Sequence, residues 1–175
     1  MLVQKLSKEE CLNFLKEIKF GRLGCVRDKQ PYVVPIYFVS DGKHIYAFTT
    51  LGQKIRWMRE NPLVCVEADQ VINHLHWTSV VVLGKYQELD DKFSSRGLRE
   101  YALELLQHRT MWWQPAVVTT RDSESADRAA PHIFYRIRID EISGRRAGPN
   151  SLAETMPQPL ERRVKDILQA SVTRE

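Results

Sequence analysis

The chain has 175 residues, 43% of them hydrophobic and 27% charged, the composition of one ordinary folded domain able to bury a core without disulfide staples. No apolar run approaches the roughly 18 residues of a membrane span, and the opening Met1 to Glu10 lacks the apolar centre of a secretory signal, so a cytoplasmic protein with no membrane partner is expected. The formal charge of +4 permits an anionic partner without naming one, because the basic residues are scattered among acids.

Ser7-Lys8-Glu9-Glu10 is a capping box, and Cys11, Phe14, Leu15 and Ile18 follow at helical spacing, predicting a helix that lies on a sheet and ends at Gly21. The pattern then turns strand-like, at Leu23 to Val26 and again at Tyr32 to Val39. Asp41-Gly42 marks a tight hairpin that returns His44 to Thr49 antiparallel on the preceding strand. Pro35 cannot donate a ladder hydrogen bond, so its strand should be at an edge, bulged or open to a ligand.

Gly52 to Asn61 reads as a short helix stopped by Pro62, with Arg56 and Arg59 solvated on it. Leu63 to Ala68 is a strand, Asp69 to Asn73 a loop, and His76 to Tyr86 a long strand that bends at Gly84. Asp90 or Asp91 caps a further helix with a stripe of Leu98, Tyr101, Ala102, Leu105 and Leu106. Thr120 to Ala130 is polar and reads as a surface loop, and His132 to Asp140 is the final strand.

Hairpin-linked strands with short helices and no βαβ rhythm predict a mainly β protein, a split antiparallel β-barrel with peripheral α-helices. The domain should run over residues 1–147, with 148–175 a C-terminal extension containing a short helix. Cys11, Cys25 and Cys65 are an odd number without a CxxC pair, which fits buried thiols. His74 and His76 face one way if extended, yet sequence places no third ligand beside them, so no metal is expected.

The strand-to-helix turn Thr49-Thr50-Leu51-Gly52-Gln53-Lys54 collects what a phosphate needs: two hydroxyls, a glycine for close approach, an ammonium group and a positive helix end. It is neither a Walker loop nor a GxGxxG fingerprint, and taken alone it fits an ordinary helix start with a solvated lysine equally well.

The order of pieces around the turn separates these readings. The run PYVVPIYF, a DG turn, IYAFTT, LGQKIRWMRENPLVCVEAD and HWTSVVVLGKYQEL resembles the FMN-binding split-barrel superfamily that includes pyridoxamine phosphate oxidase. It is most similar to the small flavin-nucleotide-binding branch that also contains nitroimidazole-resistance proteins. The likeness covers roughly Glu10 to Arg146, and the ordered pair GxK…NP and WxSVxxxG carries it.

The resemblance implies FMN, with Lys54 on its phosphate and Thr49, Thr50 and Gly52 supplying donors or close main-chain approach. Pro35, Ile36 and Tyr37 would run beside the flavin, and Trp77, Ser79 and Val80 would lie toward its phosphate and ribityl end. For Trp77 and Val80 plain barrel packing is an equal reading. The resemblance further implies a homodimer with the flavin in the groove between subunits, where Trp112, Trp113 and Arg136 would finish the site.

The implied activity is an FMN-dependent oxidoreductase acting on a small molecule, with a nicotinamide as candidate hydride donor. Two departures narrow it. Nitroimidazole-resistance proteins carry a histidine where this chain has Ala47-Phe48-Thr49, and PYVVPIYF has none of the basic residues expected for vitamin B6 oxidation. The rival readings are a non-catalytic flavin- or haem-binding module and, behind it, a basic nucleic-acid-binding barrel.

Overall fold

The computed structural model describes residues 2–90, 96–107 and 132–148. Eight strands and three helices follow in the order β1 (Val3–Lys5), α1 (Lys8–Glu17), β2 (Phe20–Arg27), β3 (Gln30–Tyr37), β4 (Val39–Ser40), β5 (His44–Thr49), α2 (Gln53–Glu60), β6 (Leu63–Asn73), β7 (His76–Leu89), α3 (Arg96–Gln107) and β8 (Ile133–Ala147). All pairings are antiparallel, and the hydrogen-bonded order is β3-β2-β6-β7-β8-β5-β4, with β1 added to the far half of β8.

The two ends of this path, β3 and β4, are joined through the single residue Phe38. The sheet therefore curls until its ends meet at that point and part elsewhere, which is a split antiparallel barrel as the sequence pattern predicts. As the terminal strand of the path, β3 tolerates Pro35, because one of its edges has no ladder partner to lose.

The barrel interior is filled by Leu23, Ile45, Val66, Val80, Val82, Tyr135 and Ile137, with Leu15 of α1 and Ile55 and Met58 of α2 packed among them. A smaller cluster lies on the outside, where Ala102 and Leu106 of α3 cover Val39, Tyr46, Leu89 and Phe134. Phe134 is therefore buried, and the cations Arg136 and Arg138 follow it on the same face of β8.

The capping box forms as read: Ser7 N–H donates to Glu10 Oε2 (2.8 Å) and Glu10 N–H donates to Ser7 Oγ (3.2 Å). The helix ends earlier than expected, at Glu17, and Gly21 belongs to β2. Its service is proximity, since a Cβ there would meet the main-chain oxygen of Glu67 at 2.5 Å.

The expected loop at Asp69 to Asn73 is the continuation of β6, paired with β7 as far as His76 and closed by a tight turn. Asp69 forms an ion pair across the sheet to Arg22, and Asn73 Oδ1 accepts from Leu75 N–H in the turn (2.9 Å). β7 does shift register between Leu83 and Gly84, where Gly84 lies against the main-chain oxygen of Arg138. Arg59 is not a free cation: its Nε and a terminal nitrogen donate to the two carboxylate oxygens of Glu88 (2.8 and 2.7 Å). Residues 91–95, 108–131 and 149–175, with the loop and extension expected there, lie outside the described residues.

Candidate functional site: an anion-ready helix start

β5 delivers the chain to Thr49, and α2 begins at Gln53 with Gly52 as its N-cap. No side chain caps this helix, so its first N–H groups are left for another acceptor. Gly52 has an extended backbone that any residue adopts, and a Cβ placed on it would meet nothing within 4 Å. The turn itself does not demand glycine here; the open space beside it suits the close approach of a ligand.

Lys54 is half-buried and has no ion-pair or hydrogen-bond partner among the described residues. Burial holds its amine below the ordinary lysine range, and only the nearby Cys25 thiol pulls the other way. A buried cation without a counter-charge is unfavourable and is relieved by an anion. The hydroxyls of Thr49 and Thr50 are likewise unpaired among the described residues. Uncapped N–H groups, two hydroxyls and one under-solvated ammonium thus belong to one short strand-to-helix turn, donors of the kind a phosphate accepts from.

The other expected site residues divide by sheet face. Ile36 and Val80 point into the core, so contact with a ligand through them is confined to the main chain. Pro35 and Tyr37 are exposed on the outer face of β3, Tyr37 with its ring edge-on to Phe20 at 5.1 Å between centroids. Ser79 faces outward too and donates to Glu67 Oε1 (2.9 Å), within a network where Arg22 binds both Glu67 (3.0 Å) and Asp69.

Trp77 is half-buried at the start of β7. Lys54 neighbours Cys25, which pairs through Val64 with Gly84; Trp77 lies seven residues from Gly84, roughly 23 Å along the strand. One chain therefore does not bring Trp77 and Lys54 together. Arg136 is half-buried, donates to Gln87 Oε1 (2.8 Å), and acts on Tyr46 and His44 instead of on Lys54. Trp112 and Trp113 lie outside the described residues.

Sequence reading passed over the outer face of the sheet. Register aligns Val33, Gly24, Cys65 and Leu83 in one row and Pro35, Arg22, Glu67 and Val81 in the next. Val33 is 62% and Leu83 48% exposed, so a largely apolar strip crosses β3, β2, β6 and β7 around the Arg22 network. The alternation was visible strand by strand, but only the register joins it into a surface.

The split antiparallel barrel with peripheral helices is the fold of the pyridoxamine phosphate oxidase-like class. The chain belongs to the pyridoxamine 5'-phosphate oxidase family, whose model matches residues 7–146. It is 39% identical over 147 residues to an uncharacterized protein of Rhizobium meliloti (strain 1021), covering 84% of this chain and 97% of that one. Among solved structures it is similar to a FAD-binding protein from Mesorhizobium loti, with 42% identity, coverage of 85% of this chain and 99% of the other, and a TM-score of 0.68. A 5-nitroimidazole antibiotic resistance protein from Bacteroides thetaiotaomicron shares the fold at 18% identity, covering 85% and 93% of the two chains, with a TM-score of 0.58.

Proposed function

We propose that this protein binds FMN, with the phosphate held by Lys54, the hydroxyls of Thr49 and Thr50 and the uncapped N–H groups at the start of α2. The observation that carries this reading is the half-buried Lys54 ammonium, which has no partner among the described residues and stands at an uncapped helix start. Family membership and the FAD-binding relative support a flavin nucleotide over other phosphates. FMN is the half that FAD also contains.

The bound flavin would supply two-electron chemistry, and the proposed activity is oxidoreduction of a small molecule with a nicotinamide as hydride donor. The chain's own residues then bind and orient. Pro35 and Tyr37 offer an exposed strand edge beside which a ring can lie, with no proline N–H competing for it.

The proposed assembly is a homodimer in cytoplasm, with the flavin in the groove between subunits. The apolar strip on the outer sheet face supports it, since exposed Val33 and Leu83 beside a charged network describe a surface that gains by being covered. Because Trp77 and Ser79 lie far along the sheet from Lys54, a second chain is what would bring such residues to the flavin.

Purified protein tests the reading. The expected preparation is yellow, releases FMN on denaturation, and is bleached by a reduced nicotinamide. Release of FAD would keep the flavin site and correct the nucleotide; a colourless protein that gains no colour with added flavin would overturn both. Lys54→Ala should weaken flavin retention about 10- to 100-fold, the worth of one charge-assisted hydrogen bond of roughly 1.5–3 kcal/mol.

A further inference from the structure

A concavity lies at the opposite end of β5 from the Thr49 to Lys54 turn. Its volume is about 620 Å³, within the range of small-molecule sites. It exists because one edge of β8 changes partners. β5 pairs with β8 as far as Arg138, and Ile139 N–H still donates to Lys43 O (3.0 Å). β1 takes over only at Arg145, with Leu6 N–H donating to Gly144 O (3.0 Å). Between them no strand among the described residues covers that edge, and α1 and the hairpin turn wall the gap.

The lining combines apolar and basic groups. Leu12 of α1 and Ile139 and Ile142 of β8 supply apolar surface, while Lys8, Lys43 and Arg138 supply cations. Of the two carboxylates in the lining, Asp140 is already paired with Arg138 (2.6 Å), while Glu141, Lys8 and Lys43 form no ion pair among the described residues.

His44 forms part of the wall in a fixed pose. Asp41 Oδ1 accepts from the main-chain N–H groups of Lys43 and His44 (both 2.7 Å), Asp41 Oδ2 accepts from Tyr46 Oη (3.1 Å), and the same oxygen lies 3.8 Å from His44 Nδ1. The imidazole is held below the ordinary histidine range, by burial first and then by the charge of Arg136, with Arg138 adding to it and Asp41 opposing. Burial together with these cations therefore outweighs the nearby carboxylate.

We propose that this cleft binds a small organic carboxylate, its charged head between Lys43, Arg138 and His44 and its apolar body on Leu12, Ile139 and Ile142. The site is separate from the flavin reading and does not depend on it. β5 alone puts about 17 Å between His44 and Thr49.

The test is a proton NMR pH titration of His44, assigned with the His44→Gln variant, with cyclohexanecarboxylate as probe and cyclohexanecarboxamide as its uncharged counterpart. The carboxylate is expected to bind saturably and to raise the titration midpoint of His44, because an anion among these cations favours the protonated ring. The carboxamide should leave the midpoint in place. Lys43→Gln with Arg138→Gln should weaken carboxylate binding at least tenfold while flavin retention is unchanged; both residues are exposed, so folding is not at stake. Lys43→Gln alone should weaken it about threefold. An unmoved His44 at high probe concentration, an equal response to the carboxamide, or undiminished binding by the double variant would overturn the proposal.

Discussion

Arg59 and Glu88 meet through two parallel hydrogen bonds that tie the outer side of α2 to the end of β7, and Tyr86 Oη donates to the same carboxylate at 2.9 Å. Fork-to-carboxylate geometry makes this one of the stronger surface pairs, although partial exposure of Arg59 limits its worth. Arg59→Ala should cost about 1 kcal/mol, read as a fall of several degrees in the thermal midpoint. The hydrogen bond from Arg59 is the first cause holding Glu88 below the usual carboxylate range. A lowered folded pKa gives stability that is fully present above the unfolded value near 4.3 and is lost as pH falls through the folded one. The difference between wild type and Glu88→Gln should therefore be constant at neutral pH and shrink on acidification below about pH 4; a difference that persists in acid would show that the pair is not its source.

The pH response of Lys54 runs in the same direction from the opposite cause, because here burial disfavours the charged form. Burial lowers its folded pKa, so in the flavin-free protein the unfolded chain binds more protons between the folded value and about 10.4. Stability of the flavin-free protein should consequently gain an increment as pH rises through that window, and Lys54→Met should remove it. A phosphate seated beside the ammonium reverses the sign by favouring its charged form. Denaturation curves at alkaline pH with and without flavin check both halves; the same curve in both states would place the phosphate elsewhere.

How far the sequence foretold this molecule depends on the range of the interaction involved. The α1 start, the Asp41-Gly42 turn and the stop before Pro62 were legible because a capping box, an Asx turn and a pre-proline restriction act within a few residues. The pairing expected across that turn holds only at Val39 and Ser40, since the rest of the strand from Tyr32 pairs with β2 and β5 runs along β8. The extension of β6 through Asp69 to Asn73 was not legible, because Asp69 is held by Arg22, 47 positions away, and the strand by the ladder to β7. The Lys54 turn could be found locally, but its lack of a counter-charge among the described residues could not, since that depends on how distant strands are arranged. The carboxylate cleft was invisible for a like reason: Lys8, Lys43 and Arg138 meet only where β8 changes partners.

Gly84 marks the place where β7 crosses β8 with a shifted register, and its missing side chain lets the Arg138 carbonyl approach within contact range. A Cβ there would also meet Ile137 Cγ2 at 2.8 Å, so neither the strand nor the core side chain can yield without moving the bulge. Gly84→Ala should destabilise by about 2–3 kcal/mol, visible as a lower denaturant midpoint with an unchanged slope. Gly52→Ala is the contrasting case. With open space around its would-be Cβ and an extended backbone, it should leave folding stability within about 0.5 kcal/mol of wild type, yet weaken flavin retention by blocking approach to the turn.

The outer sheet face gives the assembly proposal its sharpest test. Leu83 and Val33 end the row that crosses β7, β6, β2 and β3, and both are exposed enough that a charge placed on either is solvated in a single chain. Leu83→Glu should therefore leave the isolated fold little changed, by about 0.5 kcal/mol or less. If two copies meet on this face, the same carboxylate is buried twice about the symmetry axis without a partner, costing several kcal/mol per dimer. Sedimentation velocity should then show the wild type as a dimer and Leu83→Glu as a monomer, with flavin lost in parallel because each site needs the other chain. A variant that stays dimeric and yellow would remove this face from the interface, while a wild type that is monomeric and yellow would place the whole flavin site within one chain.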